Sequence, residues 1–294
     1  MLSFQEIIVA VEIGTIYGIL ALGIYLTFRV INFADLTCNG SFVLGAATSA
    51  IMVKNGFSPF LGLLVAFLAG GISGFVTGFL NVKCKIEDLL SGIITAFMLY
   101  SVNLRVLNMH SNVSLIGDSS IFDSGNFSAF AIVMAILFLV TWLLNSDFGL
   151  GLRTIGQNRK FAEANGINVN LMIFIGLILS NAFIGSAGAI FSQYQKFCDV
   201  SQGVGCLVIG LASVIIGEKL LPYSIIFKKL NCKISIKNFC MIFLQLLFCV
   251  IGSIIYRIFI ALAINSDIFG LQTQDLNLIT GLLIIFIMRS KKKC

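Results

Sequence analysis

Long apolar runs constrain this chain more than any other feature. Ile7–Phe28, Phe60–Val82, Leu89–Leu107, Phe127–Leu144, Leu171–Phe191 and Phe239–Ile264 are each close to continuous hydrocarbon. A helix needs about 20 such residues to cross a bilayer, with every backbone amide bonded inside the segment. Gly40–Val53, Val204–Ile216 and Leu276–Met288 are shorter and read as short, tilted or discontinuous spans. The strict alternation of a barrel strand is absent. Only 11% of the residues are charged and 58% are apolar, too few polar groups to cover a soluble domain. The fold class is therefore an all-α polytopic integral membrane protein with eight or nine transmembrane helices. We read residues 1–294 as one transmembrane domain. The opening Met1–Glu6 has no basic segment or cleavage site, and the first run is too long for a signal peptide. It is expected to be a retained span.

Lysine and arginine set the expected orientation. With alternating crossings, one side receives Arg29; Lys83 and Lys85; Arg153, Arg159 and Lys160; Lys219, Lys228, Lys229, Lys233 and Lys237; and Arg289, Lys291, Lys292 and Lys293. Those are 15 of the 19 basic residues, against Lys54 and Lys196 on the other side. The loop around 150–170 and the tail 289–294 are thus expected in the cytoplasm, with the N-terminus outside. Arg105 and Arg257 lie near the outer ends of apolar runs, where long side chains snorkel. The net charge of +6 is then a topology signal and not a nucleic-acid footprint.

Eight cysteines form no framework. Six fall in spans or on the inner side and read as small buried hydrophobes. Only Cys198 and Cys206 could face an oxidising side and pair. A lone His110 completes no metal cluster, so no metal site is expected. In the second long run Ala66, Gly70, Gly74 and Gly78 recur every fourth residue, and Gly14 and Gly18 repeat the pattern in the first. Such a stripe lets another backbone approach closely, either within the chain or on a second copy.

Three polar features interrupt the hydrocarbon. The first is the island Asn145–Asn170. Gly156 is expected to break the chain, Asn158 to cap a short helix, and Gly166 to end it in a left-handed conformation. Phe161, Ala162 and Ala164 would form an apolar patch, with Arg159, Lys160 and Glu163 wet. The island is either a docking helix for a cytosolic partner or an ordinary loop. The second is Arg29–Phe42, with Asn32, Asp35, Thr37, Asn39 and Ser41. Irregular polar backbone near membrane depth needs protein or a water-filled cavity to receive it. It could line a pathway or form a cytosolic hairpin. The third is a set of polar residues within the runs, notably Asn103 and Asn181.

Together these segments resemble one family. Tyr17–Arg29 running into Phe33–Ala46, Leu89–Thr95 with Leu99–Arg105, Leu152–Asn168, and Leu179–Asn181 with Gly188–Gln195 and Gly203–Glu218 are similar to the membrane permease subunit of binding-protein-dependent ABC importers. The match is to the branched-chain amino acid permease superfamily, in its tryptophan/tyrosine-type branch. The resemblance implies a subunit without catalytic residues, cofactor or nucleotide site of its own. ATP would be hydrolysed by a separate cytosolic ATPase docking on Arg153, Gln157, Asn158, Phe161, Ala162, Glu163, Ala164, Gly166 and Ile167. An extracytoplasmic binding protein would deliver an aromatic or branched-chain amino acid, and two copies would form the path in the inner membrane. Candidate path residues are Asn32, Asp35, Thr37, Asn39, Ser41, Asn103 and Asn181. The sequence departs from the family pattern at Ala34 and Val43, where proline is usual, at Asn39, where aspartate is usual, and at Glu87–Asp88. A stand-alone secondary transporter or channel is the alternative. It would want an ionisable relay within the spans, and none is clearly central. An intramembrane enzyme lacks its motifs here.

Overall fold

The computed structural model describes residues 4–124, 127–220, 234–265, 280–282 and 285. The chain runs through α1 (Phe4–Tyr25), which continues as a π-helical turn over Leu26–Ile31, then α2 (Cys38–Lys54), α3 (Pro59–Val82) and α4 (Asp88–Val106). After β1 (Asn112–Ser114) come α5 (Phe127–Asn145), α6 (Asp147–Gln157), α7 (Arg159–Ala164) and α8 (Val169–Gln195). Then follow β2 (Phe197–Asp199), a 3-10 turn (Val200–Gly203), α9 (Cys206–Leu220) and α10 (Ile234–Asn265). The all-α membrane class is as expected. Among the described residues, six helices are long and apolar enough to span, or seven if the bent pair Phe130–Asn145 and Asp147–Gln157 counts as one. That is fewer than the eight or nine expected. Gly40–Val53 falls within the 17-residue α2, short because it starts from an irregular segment already buried in the bundle. Leu276–Met288 and the tail 289–294 lie largely or wholly outside the described residues.

The helix boundaries follow local chemistry. Ser58 accepts a hydrogen bond from the Leu61 N–H at 3.3 Å, with Pro59 at the first helical position, where its missing N–H costs nothing. Asn168 caps α8 through the Leu171 N–H at 3.2 Å, and Lys196 ends it with φ 58°. At Ser146 the chain turns by 76°, so α6 lies across the end of α5 instead of extending it.

The long helix α8 is central, packing on α1, α2 and α3. The small-residue stripe of α3 faces it. A Cβ at Gly70 would overlap the Asn181 carbonyl, and one at Gly74 the Leu177 carbonyl. The stripe is thus consumed inside the chain and offers no surface to a second copy. Gly14 and Gly18 do the same against Ile254 and Val250 of α10. The opposite face of α3, with Leu64, Leu68, Ile72, Phe75 and Phe79, is exposed, as a bilayer- or partner-facing surface must be.

Contacts between loops agree with alternating crossings. β1 pairs antiparallel with β2, with Val113 opposite Cys198, and Lys196 pairs with Asp123 at 3.3 Å. Both join segments assigned to the outer side. The Asp123 carboxyl is held below its usual range by the Ser120 backbone N–H and hydroxyl, then by Lys196. At the other end Arg29 pairs with Glu218, and Arg159 with Asp88 at 3.2 Å. Cys198 and Cys206 are both buried free thiols, so the pairing considered between them does not form. Burial pushes the Cys198 thiol up to about 12.

Candidate functional site

Two polar sites emerge, joined by the π-helical turn. The first is the island. α6 does not break at Gly156: it runs to Gln157, and the interruption is at Asn158, with φ −158° and ψ 103°. Gly156 is glycine for another reason. A Cβ there would overlap the Val30 carbonyl of the π-helical turn, so α6 lies directly against the end of the first span. Leu152 and Ile155 of α6 are buried in the same core. Asn158 caps α7, accepting from the Phe161 N–H at 3.1 Å. Gly166 has φ 77°, and the Ile167 N–H returns to the Ala162 carbonyl at 3.1 Å. The expected cap and terminator are both in place.

The patch expected from Phe161, Ala162 and Ala164 is split by helical geometry. Ala162 is fully buried while Phe161 is 59% exposed, because successive residues point about 100° apart. Glu163, Ala164, Gln157 and Arg159 are exposed, and Ile167 packs partly against the core. Arg153 is half-buried, its Nε donating to the Gly149 carbonyl at 3.4 Å. α7 is therefore anchored through Ala162 and presents Phe161 outward. Arg159 ties α7 to Asp88 at the start of α4, a link that residue spacing did not suggest.

The second site is the break between α1 and α2. Asn32 reverses the chain with φ 57° and is exposed, and 33–36 form no helix or strand, with the Asp35 N–H turned back onto the Phe33 carbonyl at 3.1 Å. Asn181 is about halfway along α8, so the network it joins lies near mid-depth. Asn181 Nδ2 donates to Asp35 Oδ2 at 2.7 Å, and the Thr37 N–H donates to Asp35 Oδ1 at 2.8 Å. The Ser41 hydroxyl donates to Asn181 Oδ1 at 2.7 Å and lies 2.7 Å from Ser73 Oγ. The Thr37 and Thr77 hydroxyls are also 2.7 Å apart. Asp35, Thr37, Ser41 and Asn181 are all fully buried, each supplied with partners, as polar groups away from water must be. Ser73 and Thr77 were missed from sequence. Their spacing of four places both on the α3 face that carries Gly70 and Gly74, and that was the available signal.

Asn39 and Asn103 lie apart from this network. Asn39 Oδ1 accepts from the Leu207 N–H at 3.0 Å, and Asn103 Nδ2 donates to the Gly40 carbonyl at 3.2 Å. Both line open space between α2 and α4. Asn39, Ala96 and Tyr100 border one cavity of about 470 Å³ and, with Asn103, a smaller neighbouring one of about 170 Å³. The Asn103 side-chain oxygen is buried without a hydrogen-bond partner.

A bundle of candidate spans with a buried polar break about halfway along α8, a cavity near it and a short anchored helix across one end is the architecture of a polytopic membrane protein, and its class comes from its relatives. The chain matches the family described as "Branched-chain amino acid transport system / permease component" over residues 8–288. It belongs to that family. A tyrosine transport system permease protein of Clostridioides difficile is 36% identical over 92% of this chain and 86% of its own length. An uncharacterised protein of Rickettsia prowazekii is 33% identical over 98% of both chains. More distantly, a ribose import permease protein of Haemophilus influenzae is 21% identical over 73% of this chain and 69% of its own. No solved structure matches.

Proposed function

We propose that this chain is the permease of an ABC importer for an aromatic amino acid. The likeness to the tyrosine permease supports the substrate class, since it covers nearly the whole of both chains. In this reading ATP is hydrolysed on a separate cytosolic ATPase that docks on α7, an extracytoplasmic binding protein delivers the substrate, and two copies enclose the path. The observation that carries the docking role is α7 itself. Six residues are too few for an isolated helix, yet it is capped at both ends, fastened through Ala162 and left with Phe161 facing out.

Two contacts would pass movement of α7 into the spans. One is Arg159 to Asp88, which leads to α4 and the cavity. The other is α6 against Val30, which leads to the Asp35 hinge. The ion pair is largely exposed, with side chains 45% and 32% accessible, so it contributes little stability, about 0–1 kcal/mol. Arg159→Glu should therefore leave detergent melting unchanged and lower substrate-stimulated ATP hydrolysis by the reconstituted importer several-fold, while Arg159→Glu with Asp88→Arg should recover most of it. Gly166→Val, strained at φ 77° but with open space around the position, should behave like Arg159→Glu because it misaims the same helix. Equal coupling in all these variants would remove the docking reading.

This reading also places α6 and α7 in the cytoplasm. Single cysteines at Asn158 and Asn168 in a cysteine-depleted background should resist a membrane-impermeant thiol reagent on intact cells and react after lysis. Labelling from outside would reverse the orientation.

A further inference from the structure

A second cavity, of about 570 Å³, lies at the end of the bundle that carries the β1–β2 ribbon, enclosed by α1, the end of α8, the 3-10 turn, α9 and α10. No path residue named above lines it. Its walls include the rings of Tyr17, Phe191 and Tyr256, the amides of Gln195 and Gln202, and Arg257. Mostly apolar walls with a few convergent polar groups are typical of small-molecule sites, and the size is within the usual range.

Three observations point to what it takes. Arg257 does not reach for the outer boundary, as snorkelling would have it. Its guanidinium lies over the Tyr17 ring, 5.9 Å from the centroid. Among the described residues it makes no ion pair. A cation inside a span is costly and calls for an anionic partner, and a guanidinium stacked on a ring still carries the planar N–H fork that matches a carboxylate. Second, the Gln202 side-chain oxygen is buried with no hydrogen-bond partner among the described residues, and its nitrogen donates to the Phe197 carbonyl at 3.4 Å. An unfilled buried acceptor in a cavity wall suits an ammonium group. Third, three aromatic rings surround the remaining space and suit a flat apolar side chain.

We infer that this cavity is a binding site, within each chain, for a free aromatic α-amino acid, with its carboxylate on Arg257, its ammonium on Gln202 Oε1 and its ring among Tyr17, Phe191 and Tyr256. The inference rests on the amino-acid importer reading and adds a place where the substrate is held.

The test is binding of radiolabelled tyrosine to the full-length permease in nanodiscs of zwitterionic lipid. Saturable binding at one tyrosine per chain is expected, displaced by phenylalanine and not by tyramine, which lacks the carboxylate. Arg257→Gln should weaken it about tenfold to a hundredfold, the loss of a charge-assisted hydrogen bond, and Arg257→Lys should retain part. Gln202→Ala covers the case that Arg257 variants misfold, because it gives up only the 3.4 Å bond to the Phe197 carbonyl. It should bring tyrosine affinity down to that of 3-(4-hydroxyphenyl)propionate, which lacks the ammonium. Absence of saturable binding overturns the site, as does wild-type affinity in both variants. So does native mass spectrometry finding an anionic phospholipid that copurifies with the wild type and departs in Arg257→Gln. Uptake by the reconstituted importer separates the two readings. Arg257-dependent tyrosine binding without aromatic amino acid uptake keeps the site and refutes the transported substrate. Tyrosine uptake with no Arg257-dependent binding does the reverse.

Discussion

Gly74→Val should prevent stable assembly of the membrane fold, whereas Gly71→Ala, three residues earlier on the same helix, should be silent. A Cβ at Gly74 would overlap the Leu177 carbonyl of α8, and one at Gly71 meets its nearest neighbour, Ile178 Cγ2, at 3.6 Å, an ordinary contact. Overpacking a core commonly costs about 1–3 kcal/mol when side chains can yield. Here the obstacle is backbone in the middle of the central helix, so the cost should lie at or beyond the top of that range. The α3–α8 contact is also the most extensive helix pair among the described residues. The measurement is membrane-inserted yield and detergent melting of both variants. If Gly74→Val melts with the wild type, the close approach of α3 to α8 is wrong.

Asn181→Leu should produce the second large loss. Leucine fills a similar volume and makes none of the bonds. Asp35 would be left with the donors of Thr37 alone, and Ser41 would lose an acceptor. Leaving a buried hydrogen-bonding group without its partner typically costs about 1–3 kcal/mol, and here more than one bond of the network goes, so yield should fall. The replacement Asp35→Asn is a milder probe: it keeps the shape and removes the charge, so it should fold better and alter transport more than melting. A double-mutant cycle of the wild type, Asn181→Leu, Asp35→Leu and the two combined isolates the pair. An interaction energy near zero would mean that the network does not hold the hinge. This break joins the α6-facing end of the first span to the start of α2, the connection through which the proposed docking at α7 would act.

Much of this was legible in the residue order, for physical reasons. Hydrocarbon must satisfy its own backbone hydrogen bonds, so the long runs could only be helices. Asn158 as a cap and Gly166 as a terminator are local backbone chemistry, settled within four residues on either side. What depended on partners distant in sequence was not legible. Gly156 reads as a breaker by propensity and is instead a contact surface for Val30. The α3 stripe reads equally well as an interface for a second copy or for a neighbour, and only the packing of α8 against it decides. Asp35, Thr37, Ser41 and Asn181 stood out as polar residues in apolar surroundings, but their union with Ser73 and Thr77 required three helices to meet. Arg257 looked like a boundary residue because its position along α10 is all that a sequence shows. Its direction comes from the Tyr17 ring across the bundle. Composition and period determine which segments cross and where they end, because those are one-dimensional costs paid to the solvent. Which side chains face each other is a property of the packed bundle, and at each of these sites that facing sets the chemistry.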